Sequence, residues 1–295
     1  MGRLINMRRL TASFFATQTA LAVLASLLTF APVNTASAQT VLIPNFWDPN
    51  TRYTKPNFTI LPRLRFLTTT DFPPFNFIDR KKRLTGFHVD LARAICAELN
   101  VLAKCQIQAV RWGDLEKMLE KGEGEAIIAG LDINATTRQI YAFSHPYLSI
   151  PGRFITRRDK PLASPVYNSL FKKTVGVVQG SAHQKYFAGA FGERKFVQFP
   201  TRQAVFNALK AGNVDAIFTD ALSGSFWLAS QDAAGCCDYA GGPYLSSKYF
   251  GNGLSIAVSK KDAHLANGFN YALKQISEKG VFKELYLKYF PLGLY

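Results

Sequence analysis

Four histidines, four cysteines and 20 acidic side chains are the groups with which this chain could do chemistry. Their placement points to binding rather than to bond-making. His88, His145, His183 and His264 each stand alone, with no Ser-His-Asp or Cys-His set and no metal-ligand spacing around them. Asp220 ends an otherwise apolar strand, Val214 to Thr219, where an unpaired carboxylate is costly. It could accept a cation there, or simply N-cap the helix that follows. Thr174 to Val178 reads as another strand, and Gly180-Ser181 then opens a helix. A strand, a Gly-Ser turn and a helix start leave backbone N–H groups free, which suits an anion such as a carboxylate. Asp132 follows a third apolar run, Glu125 to Ala129.

The elements that must position these groups repeat. Leu119-Glu120-Lys121-Gly122-Glu123-Gly124-Glu125-Ala126-Ile127-Ile128 matches Leu209-Lys210-Ala211-Gly212-Asn213-Val214-Asp215-Ala216-Ile217-Phe218 at a constant offset. Each copy is a helix end, a glycine stop, an acid and a buried β-run. Glycine takes positive φ without steric cost and so ends helices. Helix, glycine and apolar strand make half of a parallel α/β unit, and two copies imply two similar α/β lobes. Ligands of such sheets sit beyond the strand C-termini. Those ends carry Asp132 and Asp220, so a cleft between the lobes is the expected site.

Other elements fill this frame. Residues 64–68 read as the first strand, ending at the proline turn Asp71-Phe72-Pro73-Pro74-Phe75. After Gly86, the residues Phe87, Leu91, Ile95 and Leu99 repeat with helical spacing. Helices are expected over residues 114–121 and 263–289, the latter broken at Gly280. The last helices are expected to return to the first lobe, giving two chain crossings. Lobe 1 is then residues 63–149 and 253–295, and lobe 2 is residues 150–252. Hinges are expected near Ser149-Ile150-Pro151 and Phe250-Gly251-Asn252.

The N-terminus reads as an export signal. Arg3, Arg8 and Arg9 precede an uncharged apolar run over residues 12–30, and Ala36-Ser37-Ala38 is a small-residue cleavage site. Residues 1–38 are expected to be removed, by a Sec or a twin-arginine route, and no cysteine near the cleavage site offers a lipid anchor. Residues 39–62, rich in Pro, Asn and Thr, read as an irregular arm. The net charge of +15 is spread without a long basic run, which argues against nucleic acid. In an exported chain the four cysteines invite disulfides. Cys96 ends a helix and Cys105 opens the next strand, so a bridge there would staple the two. Cys236 and Cys237 are adjacent, leaving three readings open: reduced, bridged to each other, or bridged elsewhere.

Residues 64–290 resemble the family 3 periplasmic solute-binding proteins, those for polar amino acids. The carriers, in chain order, are Asp71-Phe72-Pro73-Pro74-Phe75, Gly86-Phe87-His88-Val89-Asp90-Leu91-Ala92 and Gly130-Leu131-Asp132-Ile133. Arg138, Phe143-Ser144-His145-Pro146-Tyr147, Gly180-Ser181 with His183-Gln184-Lys185-Tyr186, Asp220, and Tyr249-Phe250-Gly251-Asn252-Gly253-Leu254 follow. The resemblance implies a bilobed α/β binding protein that closes on a free amino acid and delivers it to the membrane permease of an ABC importer. It further implies a periplasmic monomer without catalysis, cofactor or metal. The Gly-Ser-x-His-Gln-Lys-Tyr and Gly-Leu-Asp-Ile pieces lean toward members that bind arginine and other basic amino acids.

By the same resemblance Arg138 is the carboxylate clamp, since a guanidinium fork can hold a carboxylate with two hydrogen bonds. Asp220 accepts the α-ammonium, and Phe72 and Trp112 wall the ligand side chain, favouring a long aliphatic or cationic one. Gly130, Asp132, Ser181 and His183 line the cleft. Three departures stand out. Ala129 and Ala182 replace family hydroxyls, and the stretch before Arg138 is one residue longer than usual. Thr69 stands where some basic-residue binders carry an aspartate, with Asp71 close by. Two alternatives remain: an enzyme on the same scaffold, similar to cyclohexadienyl dehydratases, or a soluble accessory or sensor protein.

Overall fold

Both copies of the repeat fold alike, for the same reasons. The helices Leu115–Glu120 and Arg202–Ala211 end at Gly122 and Gly212, whose φ values are +69° and +77°. The next amide reaches back to close each helix, Glu123 N–H to Met118 O at 2.8 Å and Asn213 N–H to Ala208 O at 2.9 Å. The matched acids do the same work. Glu125 accepts the backbone N–H of Arg65 at 2.6 Å, and Asp215 accepts that of Thr174 at 2.8 Å. Each acid thus pins the strand that follows it to the start of the parallel strand beside it, Leu64–Thr68 in one sheet and Val175–Val178 in the other. This computed structural model describes residues 41–58, 60–290 and 292–295, so the expected leader over 1–38 lies outside the described residues.

Two five-stranded sheets share one plan. The first runs Cys105–Ala109, Leu64–Thr68, Ala126–Ile127, Ala257–Ser259, Tyr141–Phe143. The second runs Phe196–Phe199, Val175–Val178, Ala216–Asp220, Gly152–Arg157, Cys237–Tyr244. In each the first three strands are parallel and the last two join antiparallel. The fourth strand of each sheet is the one the chain forms just after crossing over, Ala257–Ser259 in one and Gly152–Arg157 in the other. The crossings pair where they meet: Leu254 N–H donates to Leu148 O at 2.7 Å, and Tyr147 N–H to Leu254 O at 2.9 Å. Two α/β lobes joined by two strands of chain form a bilobed periplasmic-binding-protein fold.

The apolar stripe Phe87, Leu91, Ile95, Leu99 is buried, as is Leu265, Phe269, Leu273, Ile276 of the helix Ala263–Glu278. They meet Leu64 and Phe66 in one core. Residues 41–58 form no helix or strand and lie across that core. Phe58 is buried against Gly268, and the Lys274 ammonium donates to carbonyls of Asp48, Pro49 and Thr51. Cys96 and Cys105 are bridged, stapling the helix Phe87–Glu98 to its following strand, and Cys236 is bridged to Cys237.

The Glu125 clamp carries a pH signature. Burial alone would push its carboxyl up, but hydrogen bonds from the Arg65 side chain and backbone, with the charges of Arg65 and Arg63, hold it below the ordinary value of 4.5. A depressed folded value means the stabilisation is fully present above pH 4.5 and is lost as pH falls through the folded value. Glu125→Gln is therefore expected to lower stability by about 1 kcal/mol near neutrality, solvent screening included. Urea titrations should show the two proteins converging in acid; a constant gap would remove the ionic account.

Candidate ligand-binding site

Three helices begin at the C-terminal ends of three adjacent strands of the second sheet, and each start is capped by its own side chain. Ser181 Oγ accepts from Gln184 N–H at 3.0 Å, Thr201 Oγ1 from Ala204 N–H at 3.2 Å, and Asp220 Oδ1 from Ser223 N–H at 2.7 Å. The positive ends of three helix dipoles therefore converge on one face. Asp220 both caps its helix and keeps its second oxygen outward, where Arg202 Nη2 lies 3.4 Å from Oδ2. Sequence reasoning missed Arg202. A cation in the first turn of a helix opposes the dipole, and that misfit is the one local signal that could have marked it.

His183 stands beside this pair. Its ring stacks on Phe250 at 4.6 Å, and its Nε2 is buried without a hydrogen-bond partner among the described residues. Burial depresses its basicity, Asp220 opposes that, and Arg202 adds to it, so the net direction is downward. A cavity of about 820 Å³ is lined by Phe72 from the first lobe and by His183, Arg202, Asp220, Phe226 and Phe250. A smaller one of about 280 Å³ adds Ser181 and Thr219 to His183, Arg202 and Asp220. Phe72 stacks on Phe75 at 4.7 Å and leans over Gly130, where a Cβ would sit 3.2 Å from its ring. No cluster of His, Cys, Asp and Glu among the described residues could hold a metal ion.

The other expected residues lie apart. Thr69, Asp71 and Trp112 line a separate groove of about 530 Å³ on the first lobe, with Arg111 and Met118. Thr69 is buried, Asp71 exposed, and Trp112 is 52% exposed. Trp112 therefore does not face Phe72 across the large cavity. Asp132 is exposed and accepts from Asn134 Nδ2 at 2.8 Å. Arg138, on the short helix Thr137–Ile140, is exposed, and its guanidinium has no partner among the described residues. The loop carrying Asp132 and Arg138 is tied to a crossing strand, because Asn252 Nδ2 donates to Ile133 O at 2.6 Å. Phe72, His183 and Asp220 thus share one cavity, Gly130 supports Phe72, and Arg138 and Asp132 line neither cavity.

A two-lobed α/β protein with acids, capped helix starts and aromatic rings at the strand ends belongs to the class of solute receptors. Residues 64–292 match the family described as bacterial extracellular solute-binding proteins, family 3, and the chain belongs to that family. The lysine/arginine/ornithine-binding periplasmic protein of Escherichia coli K12 is 31% identical over 242 residues, covering 81% of this chain and 92% of its own length. The arginine-binding periplasmic protein of Mannheimia haemolytica is 31% identical over 218 residues, covering 74% and 87%. Among solved structures, the L-cystine solute receptor of Neisseria gonorrhoeae in its unliganded open conformation superposes with a TM-score of 0.66 at 16% identity, covering 77% of this chain and 92% of that one. The chain is a family 3 extracellular solute-binding protein.

Proposed function

We propose that this protein is the periplasmic binding component of an ABC importer. It closes its two lobes on a free polar amino acid, a basic one in keeping with its relatives' names, and delivers it to a membrane permease. The observation that carries this reading is Asp220 with its three capped helix starts across the cleft from Phe72, with Arg138, unpaired among the described residues, on the same lobe as Phe72. Asp220 takes the α-ammonium, which competes with Arg202 for the same carboxylate. Arg138 and the helix start at Ser181 take the α-carboxylate once the lobes close. Gly130, Asp132 and His183 line the site closed by a hinge motion about the two crossings, and Trp112, on the same lobe as Phe72, walls the side-chain end beside Thr69 and Asp71. Thr69 and Asp71 face the ligand side chain. The mature chain is a soluble monomer starting at Gln39, with lobe 1 over 63–149 and 253–295 and lobe 2 over 150–252, and it performs no reaction.

Calorimetric titration of ligand-stripped mature protein with a panel of free amino acids tests this. One amino acid binding at about micromolar strength or tighter, with a fall in radius of gyration by small-angle scattering, is the expected result. No binding across the panel would overturn it. A second measurement separates the two jobs of Asp220. Asp220→Ser keeps a good cap, so unfolding should shift by well under 1 kcal/mol, while affinity falls about tenfold or more through loss of the charge. Equal losses in both would reduce Asp220 to a helix cap.

A further inference from the structure

A chain of buried hydrogen bonds runs through the first lobe and ends at the groove that Thr69 lines with Asp71 and Trp112. Tyr147 Oη lies 2.9 Å from His88 Nε2, His88 Nδ1 lies 2.8 Å from Asn76 Oδ1, and Asn76 Nδ2 donates to Thr69 Oγ1 at 2.8 Å. All four residues are at most 2% exposed. They come from four separate segments: the end of the first strand, the strand Asn76–Ile78, the helix Phe87–Glu98 and the approach to the first crossing. Nothing in the expected site required His88, Asn76 or Tyr147. Phe72 and Phe75 pack near the imidazole, at 6.2 Å and 4.9 Å between ring centres.

The polarity of this chain is decided at its closed end. Burial pushes His88 down to about 3, so the ring is neutral and has one donor and one acceptor. Tyr147 has one proton to give, and its hydroxyl finds no acceptor other than His88 Nε2 among the described residues. His88 Nε2 must then accept, so Nδ1 carries the proton and gives it to Asn76 Oδ1. That orientation turns the Asn76 amide so that Nδ2 donates to Thr69 Oγ1. The reverse polarity would let Thr69 donate to Asn76 but strand the Tyr147 proton in the core, and of the two ends only Thr69 borders a groove where a partner can reach it. Thr69 receives one hydrogen bond from behind, and its own proton has no acceptor among the described residues. It lines the groove that also holds Asp71 and Trp112.

We infer that Tyr147, His88 and Asn76 are positioning residues that hold Thr69 as a hydrogen-bond donor into the cleft, favouring an amino acid whose side chain presents an acceptor there. A carboxamide, a ureido oxygen or an unprotonated imidazole fits that donor, whereas an ammonium or guanidinium offers it only protons. A cationic tip must instead be met by Asp71 or Asp132. The inference rests on the amino-acid-receptor reading but departs from its basic side chain, narrowing the ligand class to amino acids with an acceptor at the tip.

Arginine and citrulline form the discriminating pair, because they share a shape and differ in whether the tip accepts. Nitrogen-15 NMR of ligand-free protein should show His88 as the Nδ1–H tautomer, and Tyr147→Phe should leave that tautomer in place, because Nδ1–H keeps Asn76 Oδ1 while an Nε2–H would face no acceptor. The ratio of arginine to citrulline dissociation constants should fall about fivefold in Thr69→Val, the size of one ordinary hydrogen bond. An Nε2–H tautomer in the unsubstituted protein overturns the relay, and so does a ratio unchanged by Thr69→Val. The Nδ1–H tautomer with no binding of any amino acid overturns the ligand class through failure of the receptor reading, an outcome distinct from failure of the relay.

Discussion

Arg138→Ala is expected to weaken amino-acid binding about 100-fold or more while leaving unfolding unchanged. Both halves follow from where the side chain sits. Arg138 is exposed, on a four-residue helix, and its guanidinium holds no partner among the described residues, so its removal breaks no contact there. Truncating one partner of a buried, hydrogen-bonded charge pair costs roughly 2–5 kcal/mol, and about 2.7 kcal/mol is a factor of 100. In the proposed closed site the lost bond is the bidentate clamp on the α-carboxylate, which lysine does not reproduce, so Arg138→Lys should recover little. Calorimetry with the cognate amino acid, beside a urea denaturation curve, reads both quantities. Affinity within threefold of the unsubstituted protein would remove Arg138 from the site and pass the carboxylate to Arg202 and the helix starts.

Gly86→Ala is expected to destabilise the protein by about 3–5 kcal/mol, lowering the midpoint of thermal unfolding by roughly 10 °C. A Cβ at this position would lie 2.2 Å from Phe75 O, 2.5 Å from Phe75 C and 2.8 Å from Asn76 N, and backbone cannot step aside as a side-chain tip can. Gly86 also sits at φ +131°, a conformation that a side chain disfavours. The close approach serves the helix start. Phe87 N–H donates to Pro74 O at 2.9 Å and His88 N–H to Phe75 O at 2.8 Å, so the proline turn replaces a side-chain cap. Pushing it away uncaps the helix, shifts Asn76 and moves Phe72 in the cleft. Gly122→Ala is the control, because Gly122 has φ +69° but nothing within 4 Å of the added carbon. It should cost only the left-handed backbone penalty of about 1–2 kcal/mol. Equal losses at the two sites would show that backbone conformation, and not the close approach, dominates.

The elements that were legible in the sequence are those whose evidence is local. The stripe Phe87, Leu91, Ile95, Leu99 names a buried helix face because burial repeats with the turn of the helix. The repeated helix-glycine-acid-strand segment names two like lobes because a glycine stop and a pinning acid are short-range devices. The antiparallel strands were not legible. Gly152–Arg157 and Ala257–Ser259 carry no alternation of their own and form where the chain has just crossed between lobes, while Gly241-Gly242-Pro243 inside Cys237–Tyr244 reads as a turn and stands in the structure as a break in register. Arg202 was missed for the same reason, since its partner Asp220 sits across a strand-helix junction with no shared motif.

By itself, then, the sequence determined the family, the two α/β lobes and the residue types at the strand ends, because each is written in spacing along the chain. Tertiary structure alone decided which of those residues meet. Phe72, His183 and Asp220 share a cavity, while Trp112 with Thr69, and Arg138 on its own short helix, stand apart. It alone also turned an isolated histidine into the middle of a buried relay, because hydrogen-bond direction is set by which donors are enclosed together. Enclosure depends on four segments brought together by folding, and no window of sequence contains all four.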